Sequence, residues 1–284
     1  MEKIKGLGIF SSVALTLAAT AVIALPIYSS DGTDLLTIAV ATAFSATFIT
    51  IGYLIITKLL CSKKAVFLTV NLVSGLLMVI FAAVTLKEFS EFTVTEVLPE
   101  APLWSVALLF VAVSLSLTRG GVRGLEKTAV IFLVLGGLLA LLIFLFSLPK
   151  MDTKYIIPSG TTDIATISLN GLKTALRISV ASLVTVPVIF EKNEDVRPVF
   201  LGSIVGGFLI FTFTLVTLLV FGGGFASTLV YPFVAAVSTA AVGDIFSGLE
   251  GFLYLLVFIL SVFKIFLLFY GIKRIAANIA SLKK

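Results

Sequence analysis

Apolar stretches of about 20 residues recur from one end of this chain to the other, each long enough to cross a hydrocarbon layer about 30 Å thick. GLGIFSSVALTLAATAVIAL, VFLTVNLVSGLLMVIFAAVTL and GFLYLLVFILSVFKIFLLFY are three of them. In lipid a backbone must satisfy its own hydrogen bonds, and uninterrupted runs of this length do so as helices. Charge is correspondingly scarce. Only 12% of the residues are charged, against roughly 25% in a water-soluble domain. The fold class that follows is all-α: a polytopic membrane protein embedded in a lipid bilayer.

Several chemistries are excluded early. Histidine is absent, so neither Ser-His-Asp nor Cys-His catalysis is available, and no His-based zinc site. No Walker sequence, paired-acid constellation or thiol–base pair occurs, so no enzyme, cofactor or metal is expected. The net charge of +5 matters less in such a chain than where each Lys and Arg lies, and nucleic acid is not an expected partner. Cys61 is the single cysteine; it forms no internal disulfide and reads as an inert packing residue at a helix end.

The expected spans are 6–25, 35–60, 66–86, 103–118, 128–148, 171–190, 199–221 and 251–270. The first follows Lys3 and Lys5 and resembles a signal peptide. Its apolar run of about 20 residues exceeds the roughly 7–15 of a signal core, so it reads as a span. A ninth stretch, 225–242, is interrupted by Tyr231-Pro232 and reads as re-entrant or lying outside. With both termini in the cytoplasm, basic residues then crowd the inner side, from Lys3 and Lys5 through Arg119, Arg123 and Lys127 to Lys273, Arg274, Lys283 and Lys284. The outer loops hold only Lys87, Lys150 and Lys154. Full crossing by 225–242 would move the last four basic residues outside. Eight spans is the better solution. The loop TRGGVRGLEKT lacks the spacing of a phosphate-binding loop and follows no strand, so it acts first as a basic topological anchor. Glu88, Glu91, Glu96 and Glu100 make the opposite side acidic, and Trp104 reads as an interfacial anchor.

Polar groups and helix breakers inside spans mark where a ligand could sit. Span six reads LKTALRISVASLVTVPVIF, with Ser179, Ser182 and Thr185 a turn apart and Pro187 unable to donate a backbone hydrogen bond. A break there would free backbone groups for a small zwitterion; a packed, kinked Ser/Thr helix is the plainer alternative. Span one offers only the small run Ala18-Ala19-Thr20, with no glycine. Lys173 and Arg177 read as snorkelling to the interface. Lys264 lies well inside span eight, where two accounts stand: an ammonium that replaces a coupling cation, or a snorkelling side chain. Glu250 and Asp244 flank the start of that span and read as interfacial.

The order of features resembles the spore germination permeases. These are the B-type, integral-membrane subunits of nutrient germinant receptors, within the amino acid–polyamine–organocation (APC) superfamily. The landmarks are ALPIYSSDGTD, LKEFSEF, LPEAPLW, GVRGLEKTAVIF, YIIP, VYP and GLEGFLYLLVFILSVFKI, in that order over about residues 7 to 275. The chain departs from the pattern at Ala18-Ala19, where glycine is usual, and at Gly248 and Lys127, where arginine is usual. The pattern also has ten spans in two inverted repeats, and this chain stops after eight. It is expected to be a single permease-like domain over 1–284, either naturally short or lacking its last two helices.

The resemblance implies a leucine-transporter-like helical bundle of about eight transmembrane helices plus a re-entrant or outer helical segment. It implies a midplane site between spans one, three, six and eight, with candidate contacts at Ala19, Thr20, Ser74, Gly75, Ser179, Ser182 and Phe258. The expected ligand is a small amino acid or similar nutrient. The expected partners are A-type and C-type receptor subunits, and the expected location is the spore inner membrane. A self-sufficient amino-acid:cation symporter, with Lys264 or Glu250 tied to the coupling ion, is the alternative. A degenerate scaffold for partner subunits is a third reading.

Overall fold

The computed structural model describes residues 2–24, 34–62, 64–156, 163–190, 195–239 and 249–281. Nine α-helices occur among them: α1 (Glu2–Ala24), α2 (Asp34–Leu60), α3 (Lys64–Phe92), α4 (Leu103–Leu117), α5 (Gly121–Ser147), α6 (Ile164–Ile189), α7 (Arg197–Ala226), α8 (Pro232–Thr239) and α9 (Leu249–Ser281). Six stretches are long and apolar enough to cross a membrane, and one of these, Leu103–Lys150, contains both α4 and α5. With the shorter apolar helix Gly6–Thr20 of α1, eight helices run across the bundle. The eight residues of α8 rise only about 12 Å, so that segment does not cross. This agrees with the re-entrant reading of 225–242.

Side-chain contacts fix the helix directions. Met78 and Ile189 meet the backbone of α9 at Gly271, and Ile275 lies against Gly75. Phe92 of α3 pairs with Tyr254, so α3 and α9 run in opposite directions. Phe110 of α4 packs on Phe258, and Lys273 Nζ donates to the Thr118 carbonyl at 3.2 Å. Helix α4 therefore runs with α9, whereas α5 runs against it through Phe132 on Phe263 and Gly136 beside Leu256 and Leu260. The chain reverses at Gly121, whose φ of +64° suits a residue without a Cβ. Thr118–Gly120 of the basic TRGGVRG stretch is thus a turn that leads straight into α5, tied to α9 by Lys273.

Helix α9 forms the axis of the bundle. From Ile259 to Leu268 every residue is buried, whichever way it points, as expected of a helix surrounded by others. By contrast α3 exposes Leu72, Val73, Leu76, Val79 and Ile80, and α5 exposes Ile131, Val134, Leu138 and Leu141. Apolar faces of this kind suit hydrocarbon.

The boundaries differ from expectation at several helices: α5 starts at Gly121 rather than 128 and α9 runs on to Ser281 rather than 270, and three others differ as follows. Helix α3 continues past 86 to Phe92 because one stripe, Met78, Ala82, Thr85, Phe89 and Phe92, keeps finding cover. Helix α6 starts at Ile164 rather than 171, capped by Asp163, whose carboxylate accepts from the Ala165 amide. Helix α7 kinks at Gly222, with φ +72° and ψ 158°, before one last turn to Ala226. Cys61 is exposed at the end of α2 rather than packed. Residues 25–33 of the landmark ALPIYSSDGTD, residues 157–158 of YIIP, and Gly248 and Asp244 lie outside the described residues.

The kink at Gly222 carries a prediction. A Cβ there would stand 2.9 Å from the Tyr155 ring, and the positive φ costs an L-residue about 1 kcal/mol or more. Gly222→Ala should lower the thermal midpoint of the detergent-purified protein by several degrees. Gly224→Ala, where a Cβ meets nothing within 4 Å, should not.

Candidate functional site

Buried polar side chains occur on every spanning helix, and where α3, α6 and α9 meet they lie beside a buried lysine. The contacts at Gly271 set the register. Seven residues back along α9 is Lys264, seven back along the parallel α6 from Ile189 is Ser182, and seven on along the antiparallel α3 from Met78 is Thr85. Each step rises about 10 Å, so these three residues share one level. Thr85 and Ser182 are buried, and Lys264 is only 5% exposed. Ser261 lies a turn from Lys264 on α9 and returns its hydroxyl to the Val257 carbonyl. Ser179 lies a turn from Ser182 on α6.

Hydrogen bonding separates these residues. Thr185 donates to the Ala181 carbonyl at 2.7 Å, a bond that closes within its own helix. The hydroxyls of Ser179 and Ser182 are buried and have no hydrogen-bond partner. Polar groups enclosed without partners are uncommon, because each forfeits about 1–3 kcal/mol. Lys264 makes no ion pair within 4 Å among the described residues. The carboxylate of Glu88, one turn beyond Thr85 on α3, is the acidic group whose field reaches it. Protein encloses the ammonium, so snorkelling to an interface does not describe it.

Apolar layers close this level on both sides. Toward the basic end lie Met78, Ala82, Val184, Val188 and Leu268. Toward the acidic end, Phe92 meets Tyr231 edge-on at 5.2 Å and Tyr254 at 6.2 Å, which joins α3, the start of α8 and α9. Burial pushes the Tyr231 phenol above its usual range; a hydrogen bond to Thr95 opposes this, and Glu91, Glu96 and Glu88 add to it. The phenol therefore stays neutral at physiological pH.

The other expected contacts fall elsewhere. Gly75 lies against Ile275, and with Ser74 it sits about 16 Å from the Thr85 level, toward the basic end. Phe258 is 40% exposed and packs on Phe110 of α4. Six residues from Lys264, it points roughly 240° round the helix. The structure does not bring Phe258 to the polar group. Glu250 stands at the first turn of α9, about 21 Å from Lys264, so the two do not form one ion site. Lys173 and Arg177 are exposed on α6.

Ala19 and Thr20 are buried on an unbroken α1, where Ser12, Thr16 and Thr20 each donate to the carbonyl four residues back. Helix α6 also continues through Pro187. Neither helix unwinds. Sequence reasoning missed Thr85 and Ser261. The signals were present: Thr85 lies on the Met78–Phe92 stripe, and Ser261 lies three residues before the buried lysine.

A model of a protein family described as "Spore germination protein" matches residues 53–284, most of the chain. The chain belongs to the spore germination permease family. The match begins in the last third of α2, so α1 and the first landmark precede it, and the polar level lies wholly within it. No curated protein matches the sequence. This member of the family is accordingly a membrane-spanning helical bundle, with a lysine and two unpartnered serines enclosed within it.

Proposed function

We propose that this chain is the integral-membrane subunit of a spore nutrient receptor, which binds a small nutrient at the level of Thr85, Ser182 and Lys264 and signals germination through partner subunits of A and C type. One observation carries the reading: the Ser179 and Ser182 hydroxyls and the Lys264 ammonium are held ready in a membrane core, a costly arrangement that a ligand would satisfy. Family membership supplies the physiological setting. Both termini lie in the cytoplasm in this reading, because Lys58, Lys64, Arg119, Arg123, Arg197 and Lys273 cluster at one end of the bundle. Occupation of the site biases one of two packings of the bundle, and partner subunits read that change.

The amino-acid:cation symporter is the competing reading, and Lys264 favours it to the extent that a buried ammonium can replace a metal cation. The two part in liposomes. Purified protein with a proton gradient and radiolabelled amino acids should show no gradient-driven accumulation, while deleting the gene should remove the spore's response to at least one nutrient. Accumulation without partners, together with unaltered germination in the deletion strain, would reverse the assignment.

A further inference from the structure

The buried lysine has a chemistry of its own. A lysine at the centre of a membrane is costly even where relaxation is allowed. Lys264 lies about 22 Å from the outer end of α9, beyond the reach of its four-carbon stem. Glu88 is half-buried and one turn beyond the lysine's level, so it does not close the contact. What the ammonium lacks is an anion at hydrogen-bond distance.

Among the described residues no other lysine or arginine is buried. Helices α1 and α6 are continuous, so they present no unwound backbone amides at this level. The α1 hydroxyls of Ser12, Thr16 and Thr20 are spent on their own carbonyls. The cations Lys173 and Arg177 are exposed, and Lys273 is engaged with Thr118 at the basic end. Two donors do remain at the right level, the unpartnered hydroxyls of Ser179 and Ser182 on the facing helix.

We propose that the Lys264 ammonium anchors the carboxylate of the ligand, with the Ser179 and Ser182 hydroxyls as its neutral donors, so that the site selects carboxylate-bearing nutrients over neutral ones. This rests on the reading of the chain as a nutrient-binding subunit. An incoming carboxylate competes with Glu88 for the lysine, and binding thereby loosens an α3–α9 attraction while joining α9 to α6. Ligand class and conformational bias arise from one side chain.

The test uses the full chain in lipid nanodiscs and calorimetric titration of the twenty free amino acids, their carboxamides, and glucose as a neutral nutrient. At least one amino acid should bind, with its carboxamide at least tenfold weaker. K264M should bring that pair within about threefold of each other, and K264R should keep the acid preference. E88Q should tighten the acid and leave the amide unchanged. Should K264M fail to give monodisperse protein, the E88Q arm decides, and an unchanged acid affinity there overturns the anchor. An acid preference that survives in folded K264M also overturns it. Binding of glucose but of no amino acid, lost in S182W, would remove the anchor and leave the nutrient-binding reading standing. No binding by any compound would remove both.

Discussion

Gly202→Val is expected to eliminate most of the folded protein, the largest effect of any single substitution considered. A Cβ at Gly202 would stand 2.5 Å from the Phe10 carbonyl oxygen and 3.1 Å from the Phe10 Cα, both backbone atoms that cannot swing away. Its neighbours on α7 are equally constrained. At Gly206 the obstacles are the Ala14 carbonyl and Leu17, and at Gly207 a Cβ would fall 2.0 Å from the Thr42 methyl. Gly202 and Gly206 face α1 while Gly207 faces α2, so α7 is pressed close to two helices at once. In lipid such close backbone approach is a main source of helix association. A valine must drive α1 outward. Overpacking of a soluble core costs about 1–3 kcal/mol, and more is expected here because the contacts are backbone. The measurement is the monodisperse fraction after detergent extraction. G202V should fall to a small fraction of wild type, and G137A, where a Cβ meets nothing within 4 Å, should match it. Equal recovery of G202V would show that α1 does not pack here.

The helices were legible in the sequence because hydrocarbon thickness imposes a length, and α2 was placed to within a residue on that ground alone. Where length stopped being decisive, the reading slipped. Polar residues in ISLNGLKTALR hid the first turns of α6, although Asp163 marks the start. Lys87, Glu88 and Glu91 hid the end of α3, although Phe89 and Phe92 continued its buried stripe. The site was half legible for a related reason. Sequence shows which helix carries polar residues, but not how far one helix is slid along another. The contact of Met78 and Ile189 at Gly271 sets that slide, and it brings Thr85 to Lys264 in place of Ser74. Rotation is equally hidden: Ser182 and Lys264 face inward, while Phe258 is turned toward α4 by the angle between its position and that of Lys264. A resemblance that names span eight cannot choose among its faces.

Ser182 should separate stability from function more sharply than any other position. Its hydroxyl is fully buried and unpartnered, and enclosing such a group costs about 1–3 kcal/mol. Removing it by Ser182→Ala should therefore keep or raise the thermal midpoint of the purified protein. In spores, the same change should shift the nutrient dose–response to about tenfold higher concentration, the loss of one hydrogen bond of about 1.4 kcal/mol. Ser182→Trp should go further and abolish the response by filling the level between α6 and α9. Immunoblotting of spore membranes controls for abundance, and L109W, at a position exposed on α4, controls for a tryptophan at the surface. Opposite signs in the two S182A assays are what a binding site requires, because a packing residue would lose stability and response together. If S182A lowers the midpoint and leaves the dose–response in place, Ser182 is structural and the binding level must be sought elsewhere in the bundle.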